Sequence, residues 1–364
     1  MKLPDQQEIN QQLFKLVQQL IRVIVVLFVF NLVLILFLAY GIPKINLEKW
    51  FEDKPTPSST ASTSNDDIKS DPYAFWKAPA ISTLEKDPNK DLILYGKELI
   101  ANTAAYLGPK GKVAKISNGL NCQNCHLEAG TKPFGNNYSG VASSYPKYRA
   151  RSGTVEDLYK RVNDCFERSL NGTALDTSSR EMQAIKSYIE WLGKDVPKGT
   201  KPNGVGLAEL AFLSRPADAE KGAQVYKTHC VSCHQANGEG VWNEEKTAFV
   251  YPALWGPNAY NSGAGLYRLS RFASYVKYNM PFGVSYTNPV LTDEEAWDVA
   301  AYVNSQKRPS IDISKDWPKI IEKPVDHPFG PFADGFSEKQ HKLGPFDPIQ
   351  KEIKKLKEKQ KKES

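Results

Sequence analysis

The 364-residue sequence predicts a mainly α-helical chain: two similarly organised helical domains in tandem, preceded by one N-terminal apolar helix. Three observations carry this prediction. A run of eighteen uncharged residues lies near the N-terminus, the pattern Cys-x-x-Cys-His occurs twice, and each occurrence stands between a leading and a closing amphipathic helix. Hydrophobic residues make up 41% of the chain and aromatics 11%, enough for packed cores. Lys+Arg 47 against Asp+Glu 41 gives a net charge of +6. Seven of those lysines fall with three glutamates in the last fourteen residues, so no basic stripe for nucleic acid is implied.

From Val23 to Tyr40 the run VIVVLFVFNLVLILFLAY would span about 27 Å as a helix, close to the hydrocarbon thickness of a bilayer. It reads as a transmembrane anchor over 20–41, behind a short cytoplasmic N-terminus at 1–19. A cleaved signal peptide is the alternative, but the stretch is long for one and no convincing small-x-small cleavage site follows. Charge does not orient it, because Lys2, Lys15 and Arg22 on one side face Lys44, Lys49 and Lys54 on the other. Residues 42–80 follow, containing PTPSSTASTSNDDIKSD, the composition of a flexible linker.

The first domain, 81–200, opens with a helical stretch from Leu92 to Tyr106 and closes on a helix striped by Ile185, Tyr188, Ile189 and Leu192. Ser178 with Glu181 is its expected capping box. The second domain, 201–310, has a leading helix from Glu220 to His229 and a closing helix carrying Trp297, Ala300, Ala301 and Val303, with Thr292 and Glu295 as its box. A Pro, Phe and Gly-rich stretch at 311–348 reads as extended wrapping. The tail at 349–364 reads as a solvated or frayed helix, with membrane-surface binding as a second reading.

Cys122-Gln-Asn-Cys125-His126 and Cys230-Val-Ser-Cys233-His234 fit covalent c-type haem attachment. Two thiols three positions apart reach the two vinyl groups of one porphyrin, and the following imidazole points at the iron. The expected cofactors are therefore two covalently bound haem c groups, with His126 and His234 as proximal ligands, and each domain is cytochrome-c-like (class I). Zinc held by four thiolates is the competing reading, but 104 residues separate the two pairs and zinc would not need the adjacent histidines. A thioredoxin-like redox pair explains neither the repetition nor the histidines. Such haems are attached outside the cytoplasm in bacteria, which places the haem domains on the periplasmic side of the cytoplasmic membrane.

Sixth ligands are expected to differ between the domains. Met280 in Met280-Pro-Phe-Gly283 lies 46 positions after His234, in a loop before the closing helix, and is the second domain's only methionine. The first domain has no such loop: its one methionine, Met182, falls in the first turn of the closing helix. Cys165 is the other candidate, on a helix read over Thr154–Gly172 with a Thr154/Asp157 cap, where Leu158, Val162 and Cys165 share one face. That pattern suits an inert buried cysteine. Arg161, Arg168 and Ser169, at four before and three and four after, add cations that stabilise thiolate or bind a small anion. A solvated helix face is the plain expectation for Arg168.

The chain resembles the dihaem thiosulfate dehydrogenases, which couple two thiosulfates into tetrathionate. The resemblance rests on Asn118–Gly130 around the first attachment site, Tyr145-Pro-Lys-Tyr-Arg-Ala-Arg151, Val162–Gly172, Pro252-Ala-Leu-Trp-Gly256, Asn261–Gly265, Asn279-Met-Pro-Phe-Gly283 and His327–Ser337. It implies Cys165 as the cysteine ligand of the active-site haem, Arg151 and Arg161 as substrate arginines, and Ser169 as a hydrogen-bond donor. Electrons would enter at the Cys/His haem, pass to the Met/His haem, and leave to an external cytochrome c or terminal oxidase. Two departures stand out: Asn279 occupies the position before Met280 where some members have a lysine that exchanges with methionine, and typical members are soluble, whereas this chain has an expected anchor. The reverse reaction, tetrathionate reduction, uses the same atoms. A membrane-anchored dihaem electron-transfer subunit of a respiratory complex, with no substrate of its own, is the alternative, and Cys165 and its neighbours are what discriminate the two.

Overall fold

The computed structural model describes residues 74–363 continuously, together with residues 20, 21, 24, 25, 27, 28, 30 and 31. The chain divides into two compact units, 1–69 and 70–364. The described residues of the first unit are helical, with Ile24, Val25, Leu27, Phe28 and Phe30 exposed. Most of the expected span at 20–41 lies outside the described residues, and among the described residues no helix is long and apolar enough to cross a membrane.

In the second unit the internal repeat is visible as two helix pairs. α1 (Lys90–Ala101) crosses α3 (Arg180–Leu192) in the first half, and α4 (Ala219–His229) crosses α6 (Asp293–Ser305) in the second. Both crossings are made at a glycine. A Cβ on Gly96 would lie 2.0 Å from the Ala184 carbonyl and 2.8 Å from Tyr188 Cβ; one on Gly222 would lie 1.9 Å from the Asp298 carbonyl and 2.9 Å from Tyr302 Cβ. The same construction, a glycine against residues i and i+4 of the closing helix, thus recurs in both halves.

Helix starts follow their side chains. Thr292 and Glu295 form the expected reciprocal box, and Asp218 caps α4 through the Glu220 and Lys221 amides. At α3 the cap is Ser179, whose hydroxyl accepts from Met182 N, while Glu181 accepts from the Tyr95 hydroxyl; the expected Ser178/Glu181 box is displaced by one residue. Thr154 likewise caps nothing: it begins β2 (Thr154–Glu156), paired antiparallel with β1 (Lys147–Arg149), and Asp157 caps α2 (Leu158–Asp164) through Lys160 N.

The two halves share a core. Phe249, Ala253 and Ala259 of the second pack into the first half's cluster around Leu99, Phe166 and Ile185. A second hairpin, β3 (Val241–Trp242) with β4 (Phe249–Tyr251), brings Phe249 there. After the second closing helix the chain runs with little regular structure, apart from short helical turns at Ile320–Glu322 and Glu338–Leu343. The tail forms α7 (Asp347–Glu363), and it is not merely solvated: Ile349 and Ile353 are buried in the second half's core beside Phe346, leaving the lysines outward.

Candidate functional site

Both attachment segments hold their histidine in the same way. His126 Nδ1 lies 2.6 Å from the Asn136 carbonyl and His234 Nδ1 lies 2.8 Å from the Pro252 carbonyl. A carbonyl only accepts, so Nδ1 carries the proton and Nε2 keeps the lone pair a metal needs. Burial lowers both rings' pKa, that of His126 to about 4, so each is neutral at physiological pH. Burial also pushes the Cys122 and Cys125 thiols up to about 12. Among the described residues no three His, Cys, Asp or Glu side chains converge as a bare metal site.

A cavity lies over the first attachment segment. Its lining includes Cys122, Cys125 and His126 together with Cys165, Arg161 and Ser169, and Ile100, Leu158, Phe166 and Ile185 belong to its apolar part. The apolar lining and the presence of both thiols and the imidazole fit a covalently attached haem, with Cys165 in the same lining. Met182 is fully buried in the core and does not line this cavity. In the second half, Met280 caps α5 (Leu269–Asn279) and packs against the core, while Phe282 next to it is 90% exposed.

The wall carrying Cys165 is built by a change of helix type. α2 is followed directly by a π-helical turn, Cys165–Ser169, in which Leu170 N donates to the Cys165 carbonyl at 2.9 Å. The wider turn leaves Cys165 and Ser169 on the cavity wall and swings Arg168 out of it. Arg168 is not on a solvated face: it forms a bidentate pair with Asp316 at 2.8 and 2.9 Å. The Arg161 guanidinium makes no hydrogen bond or carboxylate ion pair with any described residue, and its interaction with Cys165 is the main cause holding its pKa above the ordinary value.

Arg151 stands at the turn of the β1–β2 hairpin and is not part of the cavity lining. Its Nη1 donates to the Gly263 carbonyl at 3.0 Å, and burial, with Arg168 nearby, lowers its pKa to about 10. Sequence reasoning missed Tyr145, whose buried hydroxyl lines the cavity without a hydrogen-bond partner. Its signal was the aromatic residue at the head of the Tyr145–Arg151 motif.

The second half reaches the first attachment loop directly. Tyr275 donates its hydroxyl to the Asn124 carbonyl, inside the first Cys-x-x-Cys, at 2.6 Å, and Asn118 Nδ2 donates to the Ala259 carbonyl at 3.1 Å.

Comparison with known proteins agrees with this arrangement. Residues 112–197 match the family model described as SoxA/TsdA, cytochrome c domain, and residues 219–307 match that of cytochrome c. A thiosulfate dehydrogenase of Allochromatium vinosum is 36% identical over 242 residues, covering 65% of this chain and 86% of that protein. The chain belongs to the thiosulfate dehydrogenase family. These are oxidoreductases. The family's member from Psychrobacter arcticus is 40% identical over 204 residues, 56% of this chain and 61% of that one. The solved thiosulfate dehydrogenase (TsdBA) of Marichromatium purpuratum, in its as-isolated form, superposes with a TM-score of 0.61 at 30% identity, over 75% of this chain and 54% of that chain. The chain thus spans about three-fifths of the Psychrobacter relative and about half of the solved one.

Proposed function

We propose that this chain oxidises two thiosulfate ions to tetrathionate at the cavity over Cys122 and Cys125. The observation that carries the proposal is the lining of that cavity, where Arg161, Cys165 and Ser169 from successive helical turns stand together with Cys122, Cys125 and His126. A plain electron carrier has no use for a buried guanidinium beside its haem, since burying a charge is costly.

Covalent attachment would use Cys122 and Cys125 for one haem and Cys230 and Cys233 for the other, and His126 with Cys165, and His234 with Met280, are the side chains that would hold the two irons. When bound, each haem supplies a one-electron acceptor. Joining two thiosulfates forms one S–S bond and releases two electrons with no proton, so the chain's own task is electrostatic. Arg161 in the lining and Arg151 outside it would together offset the repulsion of two dianions, so that their terminal sulfurs can meet. Ser169 and Tyr145 offer hydroxyls to the sulfonate oxygens, and the apolar lining excludes water. Cys165, beside Arg161 in the same lining, would supply the sulfur ligand that holds the first haem next to the substrate.

Contact between Tyr275 and the first attachment loop supports electron passage from the first haem to the second, and the exposed Phe282 beside Met280 supports exit there to an external cytochrome c or oxidase. The exposed apolar helix residues between 20 and 31 support an anchor in the cytoplasmic membrane, with the haem domains on the periplasmic side. The test is to add thiosulfate to the purified oxidised dihaem protein and follow the haem α-bands. Reduction, with tetrathionate formed once an acceptor is supplied, is expected; no reduction and no tetrathionate would refute the proposal.

A further inference from the structure

Asp316 belongs to the segment that follows the second domain, yet its carboxylate lies against the first. It takes both hydrogen bonds of Arg168, and its Oδ2 is 3.9 Å from Arg151 Nε. The next residue closes over the same arginine: Trp317 N donates to the Arg151 carbonyl at 2.6 Å, and the indole lies 5.7 Å from the Arg151 guanidinium. With Nη1 on the Gly263 carbonyl, Arg151 is held on three sides, while its Nη2 bonds to no described residue. The side chains of Asp316, Arg168 and Arg151 are only 11%, 14% and 17% exposed, so the cluster is a built feature and not a surface pairing.

We propose that Asp316 is a positioning residue for substrate binding: by clamping Arg168 and anchoring the Trp317 backbone over the hairpin turn, it aims the free edge of Arg151 at the anion. The inference rests on the reading of Arg151 as a thiosulfate-binding group. Its content is separable from simple charge balance, because the two roles predict opposite signs. As a mere counter-charge, Asp316 would weaken the local positive potential, so neutralising it would tighten anion binding. As a clamp, its loss frees Arg168 to repel Arg151 and lets the hairpin turn drift, which weakens binding.

The experiment uses the full-length dihaem protein and two variants, Asp316→Asn, nearly isosteric without charge, and Asp316→Glu, which keeps the charge and displaces it by one methylene. Steady-state thiosulfate oxidation should show KM raised about tenfold in Asp316→Asn with kcat within about twofold, as expected when a group acts on binding alone. Asp316→Glu should show a smaller rise in the same direction, whereas a counter-charge would leave it unchanged. Either variant decides the question if the other fails to load haem. Turnover in the wild type with KM unchanged or lowered in the variants overturns the clamp and leaves the thiosulfate reading standing. A wild type that thiosulfate does not reduce removes both.

Discussion

Acidification should weaken this fold by a calculable amount at His327. The ring is 6% exposed, its Nδ1 lies 3.1 Å from the Phe329 carbonyl, and its neighbours are the edge of Trp317 and the cations Lys323, Arg151 and Arg268. Burial, with those cations adding to it, lowers its pKa from 6.5 to about 4. The unfolded chain therefore binds a proton between these values that the folded chain refuses. Stability from this group is complete above about pH 6.5, falls by about 1.4 kcal/mol for each pH unit below it, and levels off near pH 4 after a total loss of about 3 kcal/mol. Other groups also titrate in acid, the buried Asp326 with its lowered pKa among them. The measurement is accordingly a difference: denaturant unfolding of wild type and His327→Asn at pH 7.5 and pH 5. Wild type should lose about 2 kcal/mol more than the variant over that interval. Parallel losses in the two proteins would refute the argument. Because Trp317 joins His327 to Arg151, the same acid range should also raise the thiosulfate KM of the wild type more than that of the variant.

Three further outcomes follow from the geometry. Arg161→Gln should raise the thiosulfate KM by more than tenfold while haem content stays unchanged, measured by steady-state kinetics and pyridine haemochrome; an unchanged KM would remove Arg161 from the site. Cys165→Ala should abolish the thiolate-ligated low-spin signal in electron paramagnetic resonance and lower turnover by at least about a hundredfold, and full activity without that signal would remove the cysteine from the chemistry. Gly222→Ala places a methyl 1.9 Å from the Asp298 carbonyl, and even after a helix-propensity gain of about 1 kcal/mol it should cost about 2 kcal/mol, seen as a lower melting temperature; an unshifted melt would mean that α4 and α6 can separate freely.

What was legible in the sequence was local. Attachment requires two thiols and an imidazole within five consecutive residues, so both haem segments are readable without any fold. The Thr292/Glu295 box is a reciprocal contact three residues apart and formed as expected, whereas Ser178 lost its role to Ser179 because two adjacent serines offer nearly equivalent caps. The π-helical turn was not readable, since it differs from an α-helix by a one-residue change in hydrogen-bond register, and that change moves Arg168 from one environment to another. Its partner Asp316 lies 148 residues away. No periodicity connects residues so distant. The docking of α7 left a fainter trace: Ile349, Ile353 and Leu356 recur at helical spacing, but seven surrounding lysines give the segment the composition of a solvated tail.

The repeat also separates what the two halves share from what only one of them has. Both set a glycine against residues i and i+4 of the closing helix, and both fix the histidine tautomer through a backbone carbonyl. These features govern how a haem would be gripped from its attached side, and being alike they cannot make one half reactive and the other a relay. On the proposed function, the difference lies in what each half adds to this common grip. The second half offers Met280, a neutral thioether at a helix end, while the first inserts a hairpin, α2 and a π turn, and with them Arg151, Arg161, Cys165 and Ser169. A thioether needs no cation beside it. A thiolate does, and one arginine suffices to stabilise it; Arg151, outside the cavity lining and in contact with Gly263, Asp316 and Trp317, is left with no such duty. Positive charge beyond what the thiolate requires is the property that an incoming pair of dianions would demand and an electron relay would not.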